Sequence, residues 1–242
     1  MELRENLSKV TFVATTTLLI LTLIAPTILT TTGAFAQEQE QEDVSVREPS
    51  RQLTSQWWQL VISTPTEDNP VLDTTGEDCQ QGDMGDVFFL FGTFGGSVER
   101  ECTISEGQDI LIPIINTVCL DLPGGLNPDL PGVFQKPRGP EGSCQETVES
   151  FMDTVDLSSL ELTIDGVSFG SLEDFRVQSN PFPVRLPEDS IFGEGFPSRP
   201  FIGISDGIWV IVEGLPEGEH TIEFGGQADG LTVHVTYHLT VV

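Results

Sequence analysis

Between Asp86 and Asn116 the chain reads DVFFLFGTFGG, SVERECTIS and EGQDILIPIIN, apolar β-rich runs separated by Gly95-Gly96 and Glu106-Gly107. Runs this short, this hydrophobic and this closely punctuated predict the centre of an antiparallel sheet, with Gly95-Gly96 as a two-residue hairpin turn. Cys102 falls inside that hairpin and Cys79 just before it. The core is expected to form here.

Residues 1–36 read as a targeting segment. Arg4 and Lys9 precede an uncharged run from Val10 to Ala36, and Ala34-Phe35-Ala36 suits signal-peptidase cleavage before Gln37. The competing reading is an uncleaved anchor, since the run is long enough to span a bilayer, although Pro26 interrupts it. Membrane contact is expected only through that segment. The chain carries 38 acidic residues against 10 Lys and Arg, a net charge of −28, and Glu2 and Glu5 cancel Arg4 and Lys9. The whole excess therefore lies beyond residue 36, where it repels phosphate backbones and anionic lipids and argues against nucleic-acid binding.

Four cysteines in an exported chain predict two disulfides. Of the three connectivities, Cys79–Cys102 with Cys119–Cys144 closes two loops of about two dozen residues, each bond stabilising by about 3 kcal/mol. No two cysteines have zinc-ligand spacing.

Residues 37–50 open with QEQEQED and read as a flexible acidic leader, with folded structure starting near Ser50. Leu53, Trp57, Leu60 and Val61 recur at helical spacing and predict a helix from about Arg51 to Ile62. Trp57 belongs to its buried stripe, which leaves Trp58 as the candidate for stacking on a sugar ring. The loop from Thr64 to Asp86 concentrates carboxylates, and Asp73, Asp78, Asp83 and Asp86 are candidate ligands for Ca²⁺, without the spacing of an EF-hand. Cys119 to Cys144 contains five prolines and five glycines, so it predicts a tied surface loop; its Lys136 and Arg138 are candidate contacts for an anionic partner. Ser143 opens a capping box with Glu146, ahead of Val148, Phe151, Met152 and Val155 at helical spacing. Beyond Leu160 the pattern is of strands: LELTID and VSF joined by Asp165-Gly166, then FRVQS, PFPVRL, PFIGI, GIWVIVE, and a closing hairpin of HTIEF and LTVHVTYHLTVV.

Three segments carry a resemblance: NPVLDTTGEDC with FGTFGG, LTIDGVSFGSLEDFRVQSNPF, and SDGIWVIVEGLPEGEHTIEFGG with the terminal VTYHLTV. Together they resemble a family of uncharacterised exported prokaryotic β-rich proteins over roughly Trp57 to Val242. That resemblance implies export and a β fold and brings no activity with it. LPEGEHTIEF also resembles the penultimate strand of secreted immunoglobulin-like sandwiches.

Catalytic patterns are sparse. Gly166–Gly170 and Gly203–Gly207 both match G-x-S-x-G, but one sits in a hairpin and the other between β-like runs, not in the strand–turn–helix setting a serine nucleophile needs. Placing Gly225–Gly230 as the last hairpin's loop, with Phe224 opposite Leu231, puts His220 on the apolar face and His234 and His238 on the polar one. Four residues of strand hold those two about 13 Å apart, too far to share a metal without help from a residue such as Glu223. So many carboxylates guarantee some pair at glycosidase separation and single none out.

The chain is accordingly expected to form residues 51–242 into one mainly β domain, an antiparallel sandwich of immunoglobulin-like or jelly-roll-like kind with two short helices. Two lobes divided near Ser143 are the alternative. The expected function is a secreted, non-enzymatic binding or surface-interaction module for a glycan or cell-surface polymer, with no catalytic residue assigned and no cofactor beyond Ca²⁺; an extracellular hydrolase using carboxylate or metal chemistry is the alternative.

Overall fold

The computed structural model describes residues 44–122, 131–135, 142–193, 196 and 199–242. The targeting segment, the leader up to Asp43, and Lys136 and Arg138 lie outside the described residues. Among those described, no helix is long and apolar enough to cross a membrane.

Two sheets face each other, and their strands differ in burial for one reason. The first sheet is covered on both sides. Its central strands β4 (Asp109–Leu120) and β10 (Phe201–Val212) pair antiparallel along most of their length and are almost continuously buried. β10 also pairs with β1 (Val46–Arg47), β8 (Arg176–Gln178) and β9 (Phe182–Val184). The other edge of β4 takes β2 (Val87–Phe89) and β5 (Val133–Gln135), both parallel to it. The second sheet runs β3 (Gly96–Ile104), β12 (Leu231–Val241), β11 (Gly218–Ala228), β6 (Asp156–Ile164) and β7 (Val167–Ser168). One of its faces meets solvent, so β12 alternates between buried and partly exposed residues, as a half-covered strand must.

The inner faces form the main core, with Ile110, Ile112 and Ile114 of β4 against Phe224, Val235 and Tyr237 of the second sheet. A second core on the outer face of the first sheet packs α1 (Arg51–Ser63), capped by Ser50, against Phe89, Phe91, Val177 and Trp209. α2 (Cys144–Met152) starts in the Ser143–Glu146 capping box and packs on β4 and β10.

The architecture is mainly β with two helices, but both sheets are mixed rather than antiparallel. The central stretch explains why. Gly95 and Gly96, both at positive φ, do not close a hairpin: they carry the chain from β2 in the first sheet to β3 in the second, and the turn at Gly107 carries it back to β4. β2 and β4 are thereby consecutive visits to one sheet in the same direction. The leader is also shorter than expected, since Val44 and Val46 pack on the core and β1 pairs with β10. PFIGI and GIWVIVE fuse into the single strand β10.

The closing hairpin turns at Asp229-Gly230, with Ala228 opposite Leu231 and Phe224 opposite Val235. Its loop is thus shorter than the expected Gly225–Gly230, and the pairing slips by an even number of residues, which leaves every side chain on its expected face. Gly225 lies within β11 opposite His234, and that position admits only glycine because a Cβ there would stand 2.0 Å from the Val233 carbonyl oxygen.

Candidate binding site

β2 pairs with β4 at Asp109–Leu111 and β5 pairs with the same edge at Val118–Leu120. Between them, residues 112–117 of β4 have a strand partner only in β10 among the described residues. The gap follows from local chemistry. Gly92 to Gly95 leave the sheet for its opposite number, a bulge interrupts the β4–β10 register at Ile208/Trp209, and Pro113 has no N–H to offer a neighbour. The carbonyl oxygens of Pro113 and Asn116 lie on the gap side: a Cβ on Gly92 would be 3.9 Å from the first and a Cβ on Gly132 3.4 Å from the second.

A crevice fills this gap. It encloses about 370 Å³ including its solvent-open part. Trp57 and Trp58 of α1 form one wall, Gly92, Thr93 and Phe94 another, and Leu231 and Val233 its second-sheet side. Val71 comes from the acidic loop and Pro131 from the disulfide-tied loop, so both surface excursions reach the same place. Among the described residues, no ionisable side chain lines it.

The two indoles differ in one respect. Trp57 donates from Nε1 to the Leu90 carbonyl at 2.8 Å and meets Trp58 edge-on, with centroids 5.1 Å apart. Trp58 is only 3 % exposed, and its Nε1–H has no acceptor among the described residues. The expected open stacking platform is therefore corrected: α1 is gripped on two sides, by the outer core and by the crevice, and buries both neighbouring tryptophans. Asn116, half-buried in the crevice, has no side-chain hydrogen bond among the described residues.

One buried cation fixes the walls. Arg100, 1 % exposed, faces the core from β3 and uses all five of its N–H donors. Nε donates to Asp73 O, Nη1 to Phe91 O and the Tyr237 hydroxyl, and Nη2 to the carbonyls of Val71 and Gly92. Two of those carbonyls belong to crevice residues. The sequence did signal this arginine, because alternation in SVERECTI sets it between Val98 and Cys102 on the inward face, yet neither it nor Asn116 stood out as a site residue.

The disulfides are Cys79–Cys102 and Cys119–Cys144. The first ties the acidic loop to β3, helped by Glu101 N–H donating to Thr75 O and by Gly76, where a Cβ would collide with Glu101 O at 1.9 Å.

The acidic candidates do not converge. The Asp73 carboxylate accepts from the amides of Thr75, Gly76 and Asp78 and so is spent on its own turn. Burial alone pushes its carboxyl up, but those amides and the Thr75 hydroxyl outweigh it and hold the group below the usual 3.8. Asp78 moves the other way, raised by burial and then by the charges of Asp73, Asp68 and Glu77. Asp83 takes Gly85 N–H and the Gln108 amide, and Asp86 is exposed. Among the described residues no three His, Cys, Asp or Glu side chains are grouped to hold a metal.

Each histidine has its own carboxylate: His220 Nδ1 is 2.7 Å from Asp165, His234 Nδ1 2.6 Å from Glu161 and His238 Nε2 2.7 Å from Glu99. Glu223 instead accepts from Thr163. Ser205 is fully buried within β10 with its hydroxyl unpaired among the described residues, and Ser168 sits in the two-residue strand β7.

The fold and site thus define a disulfide-tied, two-sheet β protein with a narrow crevice, free of ionisable lining among the described residues, at a break in one sheet. No protein-family description, curated protein or solved structure matches the chain.

Proposed function

We propose that this protein is an exported, non-enzymatic binding module that holds a glycan or other surface polymer by inserting one small neutral group of it into the crevice between β2 and β5. The observation that carries this reading is the crevice itself, shared by both surface loops and walled in part by Trp58, whose buried indole N–H has no acceptor among the described residues. Buried donors are almost always paired, so an unpaired one in a residue beside a surface crevice favours an acceptor supplied from outside the chain. Two disulfides fit an oxidising, extracytoplasmic compartment. The absence of charge among the crevice's described lining residues, in so acidic a chain, favours a ligand recognised by shape and hydrogen bonding.

The test is a glycan and polymer binding screen on purified protein starting at Gln37. Saturable binding that quenches or shifts tryptophan emission supports the reading. Turnover of any polymer in the screen would replace it with the hydrolase alternative, and absence of any ligand would remove it.

A further inference from the structure

The three histidines of the β11–β12 hairpin each stand beside a carboxylate, and one of them differs in what its second ring nitrogen meets. His220 Nδ1 lies 2.7 Å from Asp165 Oδ2, and its Nε2 lies 2.9 Å from the backbone carbonyl oxygen of Pro216. A carboxylate and a carbonyl can only accept, and a neutral imidazole has one N–H to give. Both contacts are hydrogen bonds only when the ring carries two protons. We infer that His220 is a pH-sensitive latch: as the imidazolium it ties the Pro216 turn to Asp165, and on losing a proton it releases Pro216.

The segments it joins give the latch its effect. Pro216 lies in the turn between β10 and β11, where the chain crosses from the first sheet to the second. Asp165 starts the β6–β7 turn at a φ of 51°, and its other oxygen accepts from the Thr221 N–H at 2.8 Å. The His220 side chain is only 11 % exposed, so water replaces a lost partner poorly. Once neutral, the ring keeps its proton on Nδ1 against the carboxylate and turns the Nε2 lone pair on the Pro216 oxygen, and an attractive contact becomes a repulsive one. The charged groups on the segments around the ring are Asp165 from the β6–β7 turn and the exposed Glu217 and Glu219 beside His220 itself. β12 sets Leu239 opposite it, and β4 packs beneath β11 with Ile110, Ile112 and Ile114.

The other two histidines supply the contrast. His234 has Glu161 on Nδ1, and His238 has Glu99 on Nε2 with the Thr221 hydroxyl 3.5 Å from its Nδ1. A hydroxyl donates as readily as it accepts, so one N–H serves either ring.

Heteronuclear NMR of isotope-labelled protein starting at Gln37 reads the ring protons directly. At about pH 6 His220 should show two slowly exchanging ring N–H signals, and at about pH 9 only the one held by Asp165. Urea titrations against His220→Asn, whose shorter side chain keeps a donor for Asp165 and has none for Pro216, read the latch as stability. The unfolding constant of the unchanged protein should be about tenfold smaller than the variant's at about pH 6, where the latch is closed, and the two should converge as pH rises to about 9. A single His220 ring N–H at about pH 6, or a stability difference of the same size at both ends of that range, overturns the inference. If His220→Asn does not fold, the ring signals of the unchanged protein decide the matter alone.

Discussion

Arg100 and Tyr237 hold each other in the middle of the sandwich: the guanidinium donates to the phenol oxygen at 3.1 Å while its carbon lies 5.5 Å from the ring centroid. The phenol oxygen also accepts from the Phe91 amide at 3.1 Å, so one hydroxyl joins β12 to β3 and to the chain leaving β2. Burial raises the Tyr237 hydroxyl above its usual value of 10.0, although Arg100 and Phe91 pull the other way, and it stays a neutral donor and acceptor.

Tyr237→Phe leaves the Phe91 N–H and one Arg100 N–H unpaired in a dry site and should cost about 1–3 kcal/mol. Arg100→Met strips four carbonyls of their donor and should cost more. Urea unfolding of the two single variants and the double should give a sum larger than the double, because they share one network.

Arg176 clamps Asp206 with Nη2 at 2.8 Å, and the Asp206 side chain is 2 % exposed. Arg176→Met strands that carboxylate and should lower stability by about 2–3 kcal/mol, less than for a fully buried pair because Arg176 still reaches solvent. Asp153→Asn, which removes the outer carboxylate on the same guanidinium, should stay within about 0.5 kcal/mol in the same denaturation series.

The acidic loop should give opposite pH signatures at two neighbouring carboxylates. The Asp73 carboxyl is depressed in the folded state, so its contribution is complete above its unfolded value of 3.8 and disappears as pH falls through the lowered folded value. The Asp78 carboxyl is raised, so its cost to folding is absent below the unfolded value of 3.8, grows above it, and is complete once pH passes the raised folded value. Asp73→Ala should lower the urea midpoint near about pH 7, a loss of about 1–2 kcal/mol, and Asp78→Asn should raise it. Both differences should shrink as the midpoint is followed down to about pH 3.

Gly207, in β10 opposite Asn116, has room for nothing larger than hydrogen. A Cβ there would lie 2.4 Å from the Asn116 Cβ and 2.6 Å from Trp209 Nε1. Gly207→Ala should therefore destabilise by at least about 1–3 kcal/mol and move Asn116 in the crevice. The thermal melt reads the first effect and the tryptophan emission maximum the second.

Much of this protein is decided by local chemistry that the sequence carries openly. The Ser143–Glu146 box starts α2, Asp165-Gly166 supplies the positive φ angles of the β6–β7 turn, and alternation in LTVHVTYHLTV sets which face of β12 is buried even though the turn position was misplaced. These depend on contacts within a few residues, or on a period of two that survives an even slip. What the tertiary structure alone decided is where each run goes. VFF, SVERECTI and ILIPIIN are equally good strands, and nothing local says that the middle one belongs to the opposite sheet. That assignment depends on which faces are covered, with β4 enclosed on both sides and β3 on one, and on long-range partners such as Tyr237 for Arg100. The crevice exists for the same reason. It is the space left on the β4 edge when β2 departs at Gly92 and β5 arrives only at Val133, a vacancy made by chain path rather than by any motif.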